Sequence, residues 1–235
     1  MPPLTVVRLK VCCIMSAFEA DLAIGAGADA LGFVSAMPSG PGPIPEALIA
    51  EIVPRVPPPI GTFLLTAQQS AAAVAAQHAR CRTSAIQLCD RLPPGALGEL
   101  RDRLPGVRLV QVVHLPGPGR GEPGVDEGER AIDEACEVAP HVDALLLDSG
   151  NRQGPVKELG GTGRTHDWSL SRRVVDSVGV PVFLAGGLSA ENVREAIDTV
   201  GPFAVDVCSG VRAEGRLDPD KLLAFVRSVH EAGHA

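Results

Sequence analysis

Residues 182–193 read Val-Phe-Leu-Ala-Gly-Gly-Leu-Ser-Ala-Glu-Asn-Val, and this stretch decides the fold. It predicts a buried strand that stops at Gly186 and Gly187 and is followed by a capped helix. Glycines let backbone N–H groups come close to a ligand, and the start of the helix adds the positive end of its dipole. The junction is therefore typical of an anion site, although a single pair of glycines would also suit a tight turn.

A second junction of the same kind follows at residues 204–211, Ala-Val-Asp-Val-Cys-Ser-Gly-Val, where a strand ends close to Ser209 and Gly210. In (β/α)8 barrels, two successive strand-to-helix junctions near the C-terminus commonly hold a phosphate group. Two junctions in series therefore favour a phosphate site over simple tight turns.

Working outward from this region, apolar runs of strand length alternate with helix-period segments along the whole chain. The predicted strands are Val6–Cys12, Ala30–Val34, Ile60–Leu65, Ala85–Leu88, Val107–Val113, Ala144–Leu147, Val182–Ala185 and Ala204–Val207. The predicted helices are Ser16–Ala26, Glu46–Val53, Ser70–Arg80, Gly95–Arg103, Asp126–Val138, Ser169–Val178, Asn192–Thr199 and Asp218–His230.

Strands as apolar as these are buried on both faces, which a closed barrel achieves. We therefore predict an α/β protein whose residues 1–235 form one domain, a (β/α)8 TIM barrel with eight parallel strands. An open, doubly wound sheet gives the same alternation and is the alternative architecture. The length of 235 residues and the count of eight units favour the barrel.

The composition excludes several classes of partner. The formal net charge is −7 and only 3% of the residues are aromatic, with no Tyr. A basic face or stacking platforms for nucleic acid are therefore not expected. The N-terminus lacks the pattern of a signal peptide, and no run of about 18 apolar residues could span a membrane. We expect a cytoplasmic protein with no membrane partner, whose six cysteines are reduced and do not bind a metal.

Two side chains at predicted strand ends suggest chemistry. In a barrel the site is built where the strands end, so Cys12 and Asp148 would face each other across one opening. A thiol and a carboxylate so placed can serve as a base and an acid. A lone buried cysteine is also a common small hydrophobe. A carboxylate that closes the run Ala144–Leu147 has less structural reason to be there, and a cap or a turn role is its alternative.

Residues 160–168 read Gly-Gly-Thr-Gly-Arg-Thr-His-Asp-Trp. Three glycines, a hydroxyl and a guanidinium are a composition suited to closing over a phosphate. The segment lacks the Gly-Lys-Ser/Thr ending of a nucleotide P-loop, so it does not imply a nucleotide. A flexible connector before the next helix is the alternative interpretation.

Together these residues resemble the phosphoribosylanthranilate isomerases of tryptophan biosynthesis, and the matching segments follow one another along the whole chain. They are residues 10–12, 27–34, 87–88, 146–149, 160–168, 184–188, 191–193 and 205–211. The resemblance implies a cofactor-free Amadori rearrangement, in which an aminoaldose phosphate becomes an aminoketose phosphate.

The resemblance also implies roles for individual residues. Asp148 would be the general acid on the furanose ring oxygen, and Cys12, as a thiolate near Lys10, would remove the proton from C2′. Asp206 would hold the sugar hydroxyls or the amine. The remaining implied residues bind phosphate: Gly186, Gly187, Ser209 and Gly210 through backbone N–H groups, with Thr162 closing from the sixth loop.

Three positions depart from the family's pattern. Cys13 stands where the family usually has Gly, and Pro41 where it has the Arg that meets the anthranilate carboxylate. Cys89 stands where the family has His. We hypothesise that Arg91 or Arg152 replaces the missing cation, because both follow strand ends.

Three functions remain open at this point. The first is the isomerase itself. The second is a related isomerase that acts on a different aminosugar phosphate. The third is a non-catalytic barrel that binds a phosphorylated ligand. Each takes a small sugar phosphate, and the sequence allows either a monomer or a homodimer.

Overall fold

A computed structural model describes residues 6–117, 127–150 and 157–232. Eight parallel strands follow one another around a closed barrel, and the last pairs with the first. The strands are β1 Arg8–Val11, β2 Ala30–Val34, β3 Gly61–Thr66, β4 Ala85–Leu88, β5 Arg108–Leu115, β6 Ala144–Ser149, β7 Val182–Leu184 and β8 Ala204–Val207. The predicted closed barrel is confirmed, and the open sheet is excluded.

In the part of the chain that the structure describes, eight α-helices alternate with these strands. They are α1 Ala17–Gly25, α2 Glu46–Ile52, α3 Ala71–Cys81, α4 Ala96–Arg103, α5 Glu127–Val138, α6 Trp168–Ser177, α7 Val193–Val200 and α8 Pro219–Ala232. A 3-10 turn over Val53–Arg55, which contains Pro54, follows α2. The predicted helix start at Asp126 and the candidate Arg152 lie outside the described residues.

The alternation of side chains along each strand sorts the core into two layers. In β1, Leu9 and Val11 point outward into the cluster under the helices, while Cys12 belongs to the cluster inside the barrel. In β6, Leu145 and Leu147 point outward and Leu146 points inward. Side chains two residues apart on a strand lie on the same side of the sheet. The inward-facing side chains at the strand ends therefore line the mouth of the barrel.

A short hairpin that the sequence did not predict follows β8. Its strands are β9 Arg212–Ala213 and β10 Arg216–Leu217, which pair antiparallel. Glu19 of α1 accepts hydrogen bonds from the Arg212 guanidinium at 3.0 and 3.1 Å and from the Leu217 backbone N–H at 3.0 Å. This buried ion pair fixes the hairpin to the first helix.

The N-terminal end of α1 is formed as the sequence predicts. Ser16 caps the helix, and its hydroxyl accepts from the Glu19 backbone N–H at 3.1 Å. The Glu19 side chain reaches back to the backbone N–H of Met15 at 2.9 Å, one residue before the cap. In the usual capping box the glutamate side chain accepts a hydrogen bond from the backbone N–H of the cap residue itself. Here the Glu19 carboxylate bonds one residue earlier, and it also bonds to the hairpin.

No helix in residues 6–117, 127–150 and 157–232 is long and apolar enough to cross a membrane. Over the same residues, His, Cys, Asp and Glu side chains form no group of three or more that could hold a metal ion.

Candidate active site

An open pocket lies where the strands end, inside the mouth of the barrel. Its wall includes most of the residues that the sequence singled out: Cys12, Asp148, Thr162, Gly186, Gly187, Asp206 and Ser209. They arrive from β1, β6, β7 and β8 and from the segment that follows β6. The alternation inside the barrel therefore brings together residues that lie almost 200 positions apart in the chain.

Asp148 is enclosed by glycines. A Cβ atom on Gly160 would lie 2.3 Å from Asp148 Oδ2, and one on Gly186 would lie 3.1 Å from Oδ1. Oδ1 accepts from the Ser149 backbone N–H at 2.7 Å, and Oδ2 accepts from that of Gly161 at 3.3 Å. Burial raises the pKa of Asp148 to about 7, the charge of Asp206 adds to the increase, and these backbone donors oppose it. A carboxyl group with this pKa can give and take a proton near neutral pH.

Cys12 lies on the opposite side of the cavity at the end of β1. Gly32 of β2 packs against it, and a Cβ atom there would lie 3.0 Å from Cys12 Sγ and 3.2 Å from Lys10 Nζ. The glycine thus lets the thiol and the ammonium group share one place inside the barrel. Lys10 was predicted to supply positive charge near the thiol, and its position fits that role.

Lys10 and Asp206 form an ion pair inside the barrel. Lys10 is fully buried, and its Nζ donates to Asp206 Oδ2 at 2.8 Å. Burial disfavours the ammonium charge, but the Asp206 carboxylate outweighs this effect and raises the Lys10 pKa above its ordinary value. Asp206 Oδ1 is buried at the cavity and has no hydrogen-bond partner among the described residues. One oxygen of this carboxylate is therefore available to a ligand.

The two junctions that opened the sequence analysis are adjacent in space. Gly186 and Gly187 have φ values of 83° and 63°, and a Cβ atom on Gly187 would lie 2.6 Å from the backbone of Thr165. Gly210 does not line the cavity. Its α-carbon packs against Leu188, where a Cβ atom would lie 2.0 Å from the carbonyl oxygen. Gly210 thus lets the two junctions approach, while Ser209 reaches the wall.

Thr162 joins the segment after β6 to the strand itself. Its hydroxyl shares a 2.6 Å hydrogen bond with Ser149, and it accepts from the Arg164 backbone N–H at 3.3 Å. The neighbouring Gly163 comes close to the other junction, since a Cβ atom on it would lie 3.6 Å from Ser209 Oγ. Thr162 is therefore placed next to the glycine junctions, as predicted.

Arg91 is not brought to the cavity. Its guanidinium donates to Glu137 at 2.7 Å, and the side chain is 46% exposed. The pairing with α5 turns it to the outer surface. No cationic side chain from residues 6–117, 127–150 or 157–232 lines the cavity. Pro41 does line it, so this part of the wall is apolar where the family has an arginine.

The sequence analysis missed Lys157, which lies between two of the loops at the cavity. Ser39, in the loop after β2, donates to the Lys157 carbonyl at 2.7 Å, and Lys157 Nζ contacts Asp90 Oδ2 at 2.5 Å. Asp90 follows β4 and is buried, while the Lys157 side chain is 47% exposed. A signal was available, because Lys157 precedes the glycine-rich segment and Leu159, two residues on, lines the cavity.

Gln87 of β4 was matched to the family without being given a role. It lines the cavity with its Oε1 atom buried and without a partner among the described residues. Its Nε2 atom lies 3.8 Å from the sulfur of Cys89. Cys89 is itself buried at the cavity, and burial raises the pKa of its thiol far above the ordinary range. Cys89 therefore presents a neutral group where the family has a histidine.

Comparison with known proteins places this geometry among related enzymes. The sequence model of the family described as N-(5'phosphoribosyl)anthranilate (PRA) isomerase matches residues 125–228. A protein of Haloarcula marismortui named N-(5'-phosphoribosyl)anthranilate isomerase is 38% identical over 227 residues, which cover 96% of this chain and 97% of the relative.

Solved structures agree with the sequence relatives. The phosphoribosyl anthranilate isomerase of Thermotoga maritima matches with a TM-score of 0.77 and 29% identity, over 95% of this chain and 98% of that one. Another phosphoribosyl anthranilate isomerase, solved in complex with reduced 1-(O-carboxyphenylamino)-1-deoxyribulose 5-phosphate, matches with a TM-score of 0.75 and 27% identity. The match covers 95% of this chain and 98% of that one.

Proposed function

Because the chain belongs to the N-(5'-phosphoribosyl)anthranilate isomerase family, we propose that its cavity performs the family's rearrangement with Asp148 as the general acid and Cys12 as the general base. The chain is an aldose–ketose isomerase of tryptophan biosynthesis, and its substrate is N-(5-phosphoribosyl)anthranilate. The observation that carries the assignment of roles is the position of a carboxyl group of pKa about 7 across the cavity from a thiol.

The first step needs a proton donor at neutral pH. Burial raises the pKa of Asp148 to about 7, so its carboxyl group can hold a proton near neutral pH. It gives that proton to the furanose ring oxygen, the bond between C1′ and the ring oxygen breaks, and a Schiff base with the anthranilate nitrogen forms. Gly160 and Gly186 let the backbone pack directly against this carboxyl group.

The second step removes a proton. Cys12, as a thiolate, takes the proton from C2′, which produces an enolamine that tautomerises to the ketone. The Lys10 ammonium group lies on the same side of the barrel as this thiol. Burial inside the barrel excludes bulk water from the thiol.

Substrate binding uses the free oxygen of Asp206 and the two glycine junctions. Asp206 Oδ1 accepts a hydrogen bond from a sugar hydroxyl or from the amine, which satisfies an otherwise unpaired buried atom. The phosphate lies on the backbone N–H groups at Gly186, Gly187 and Ser209, with Thr162 alongside. Gly210 contributes by letting the junctions pack together.

The anthranilate carboxylate needs a cation that neither Pro41 nor Arg91 supplies. Lys157 is held between the loops after β2 and β4, which adjoin the apolar part of the wall. In this proposal its ammonium group leaves Asp90 or is shared with it when the carboxylate arrives. A single charged hydrogen bond of this kind contributes about 1.5–3 kcal/mol.

The decisive experiment mixes the purified chain with enzymatically generated phosphoribosylanthranilate and follows the loss of anthranilate-type fluorescence. We expect turnover by the wild type and a loss of about 100-fold or more in Cys12→Ser and in Asp148→Asn. Cys13→Gly is the matched control, since it removes a neighbouring thiol and restores the residue usual in the family. Equal damage from Cys13→Gly would mean that Cys12 is not the base.

The other two functions correspond to other outcomes of this experiment. Turnover of another aminosugar phosphate, without turnover of phosphoribosylanthranilate, would favour an isomerase of a different aminosugar phosphate. No turnover with binding of inorganic phosphate alone would favour a non-catalytic barrel. The remaining parts of the proposal are a single domain over residues 1–235, a cytoplasmic location and a monomer or homodimer, which sedimentation of the purified protein would distinguish.

A further inference from the structure

Three thiols meet at one side of the cavity, and the proposed chemistry uses only one of them. Cys12, Cys13 and Cys208 all line the wall. The sulfur atoms of Cys13 and Cys208 are 2.7 Å apart, and that of Cys13 is 3.8 Å from Cys12. None of the three is bonded in a disulfide.

The contact follows from the closure of the barrel. Val11 of β1 pairs with Val207 of β8, so the residues just beyond them leave neighbouring strand ends. Cys13 has a φ of 60°, a left-handed backbone that glycine adopts more readily than other residues. The chain thus carries a thiol at a position of strained backbone, and that thiol lies against Cys208.

The surroundings make Cys208 the more reactive thiol of the pair, because hydrogen bonds with Cys12 and Cys208, together with burial, raise the pKa of Cys13. The buried Arg212 guanidinium donates to the Cys13 carbonyl and lies near both thiols. The hydrogen bond with Cys13 lowers the pKa of Cys208, burial opposes the change, and the charge of Arg212 adds to it. Cys208 is partly exposed, whereas Cys13 is buried under the loop that contains Gly42. Cys208 is therefore the thiol that a dissolved reagent reaches first.

We propose that Cys13 and Cys208 are a reversible oxidation site, which closes a disulfide across the β1–β8 seam at the cavity and lowers isomerase activity. The reagent is a small-molecule disulfide. The Cys208 thiolate attacks one of its sulfurs, forms a mixed disulfide and releases the first thiolate. Cys13 loses its proton and attacks Cys208 Sγ, the mixed disulfide breaks, and the second thiolate leaves.

The reaction is balanced. The two protein thiols lose two electrons and two protons and form one S–S bond, and the reagent accepts them as two thiols. The sulfurs need to approach only from 2.7 Å to about 2.05 Å. An added small thiol reverses both steps by the same exchange.

The expected loss of activity rests on the proposed function. The disulfide ties the residue after Cys12, the proposed base, to the residue before Ser209, at the proposed phosphate site. Closing it restrains both groups relative to each other, and small misplacements of reacting groups reduce rates strongly. We expect kcat/KM to fall about 10-fold or more in the oxidised protein and to recover fully with dithiothreitol.

The first test measures the bond itself and does not depend on activity. The full chain is incubated with glutathione disulfide, its free thiols are counted, and the linked peptides are mapped by mass spectrometry. We expect a Cys13–Cys208 link in the wild type and none in Cys13→Gly or Cys208→Ser. Cys136→Ser, which removes an exposed thiol on α5, is the matched control and keeps the link. A wild type without this link, or with Cys12 linked instead, overturns the site.

The second test compares the activity of each variant before and after oxidation. The wild type and Cys136→Ser lose activity reversibly, while Cys208→Ser has the same activity before and after treatment. A mapped Cys13–Cys208 bond without loss of activity overturns the regulatory effect. A reduced wild type without any turnover contradicts the proposed function instead, and the thiol count still decides whether the oxidation site exists.

Discussion

Asp148 shows how a barrel can tune one carboxyl group. Its neighbours Gly160 and Gly186 pack closely against it, and burial raises its pKa to about 7. A carboxyl group in water would be almost fully ionised at neutral pH and could not donate. Desolvation makes the charged form of Asp148 unfavourable, and for this reason the carboxyl group keeps a proton that it can donate.

The raised pKa of Asp148 predicts how activity depends on pH. As the pH rises through about 7 the carboxyl group loses its proton, so the kcat/KM of the wild type falls on the alkaline side. Asp148→Asn should lose about 100-fold in kcat and no longer show that limb. The measurement is a pH–rate profile of both proteins. An unchanged alkaline limb in Asp148→Asn would assign it to another group.

The raised pKa of Asp148 also predicts that the variant Asp148→Asn is more stable than the wild type at alkaline pH. The folded state holds a proton at Asp148 up to a pH of about 7, whereas the unfolded state releases it near the ordinary value of 3.8. This preference for the folded state is lost as the pH rises between those values. At pH 8 we expect Asp148→Asn to be more stable than the wild type by about 4 kcal/mol, because each pKa unit between 3.8 and about 7 corresponds to about 1.4 kcal/mol. Urea denaturation at pH 8 measures the difference, and the gain should vanish near pH 4.

Lys157 and Arg91 form a matched pair of tests for recognition of the carboxylate. Lys157→Ala should raise KM about 10-fold with little change in kcat, because it removes one charged contact that substrate and transition state share. Arg91→Ala should leave KM unchanged, since Arg91 pairs with Glu137 at the surface. Steady-state kinetics decide. If Arg91→Ala raised KM and Lys157→Ala did not, Arg91 would be the residue that binds the carboxylate.

At the scale of elements, α1 and the β9–β10 hairpin depend on one ion pair. Glu19 and Arg212 are both buried, and Arg212 additionally donates to the Gly215 carbonyl at 3.0 Å. Burial works against the charge of Glu19, but the bonds to Arg212 and to two backbone N–H groups prevail and lower its pKa. Removal of one partner would leave a buried charge without compensation.

Arg212→Ala should therefore reduce the free energy of unfolding by about 3 kcal/mol at pH 7. Because the folded pKa of Glu19 lies below its ordinary value, this contribution is present above pH 4.5 and is lost as the pH falls through the folded pKa. Arg173→Ala, which breaks an exposed pair with Glu129, is the control and should change stability by less than about 1 kcal/mol. Urea denaturation of both variants at pH 7 and at pH 3 measures the effect.

At the scale of the whole molecule, the Lys10–Asp206 pair lies where the barrel closes. The two residues face each other in the β1–β8 register, and the ammonium group is also 5.4 Å from the centre of the Phe63 ring. The contact between β1 and β8, which closes the barrel, thus contains a buried charge pair in place of an apolar contact. The same pair orients Asp206 toward the cavity, so closure and substrate binding use one interaction.

Lys10→Met should destabilise the protein by about 3–5 kcal/mol, because it leaves the Asp206 carboxylate buried without its partner. The double variant Lys10→Met with Asp206→Leu removes both charges and should recover most of that loss without recovering activity. Thermal denaturation and the fluorescence assay measure the two effects. A stable and active double variant would exclude Asp206 from the proposed binding role.

The repeating pattern of the sequence was sufficient to determine the class of fold. The bounds predicted for β2, β4 and β8 are those observed, and the other strands differ by one or two residues at their ends. Their positions at predicted strand ends assigned Cys12 and Asp148 to one opening, and the resemblance to the family added a role for Asp206. These features are local, because alternation along a segment depends on neighbours only a few residues away.

Other features appeared only with the tertiary structure. Arg91 follows β4 as expected, but its long side chain pairs with Glu137 on another element. Lys157 and Asp90, and equally Cys13 and Cys208, lie far apart in the chain and meet through loop paths and barrel closure. Local periodicity determined the strands and which residues lie at their ends. Which side chains touch was decided by how the closed barrel brings the ends of distant segments within a few ångströms of one another.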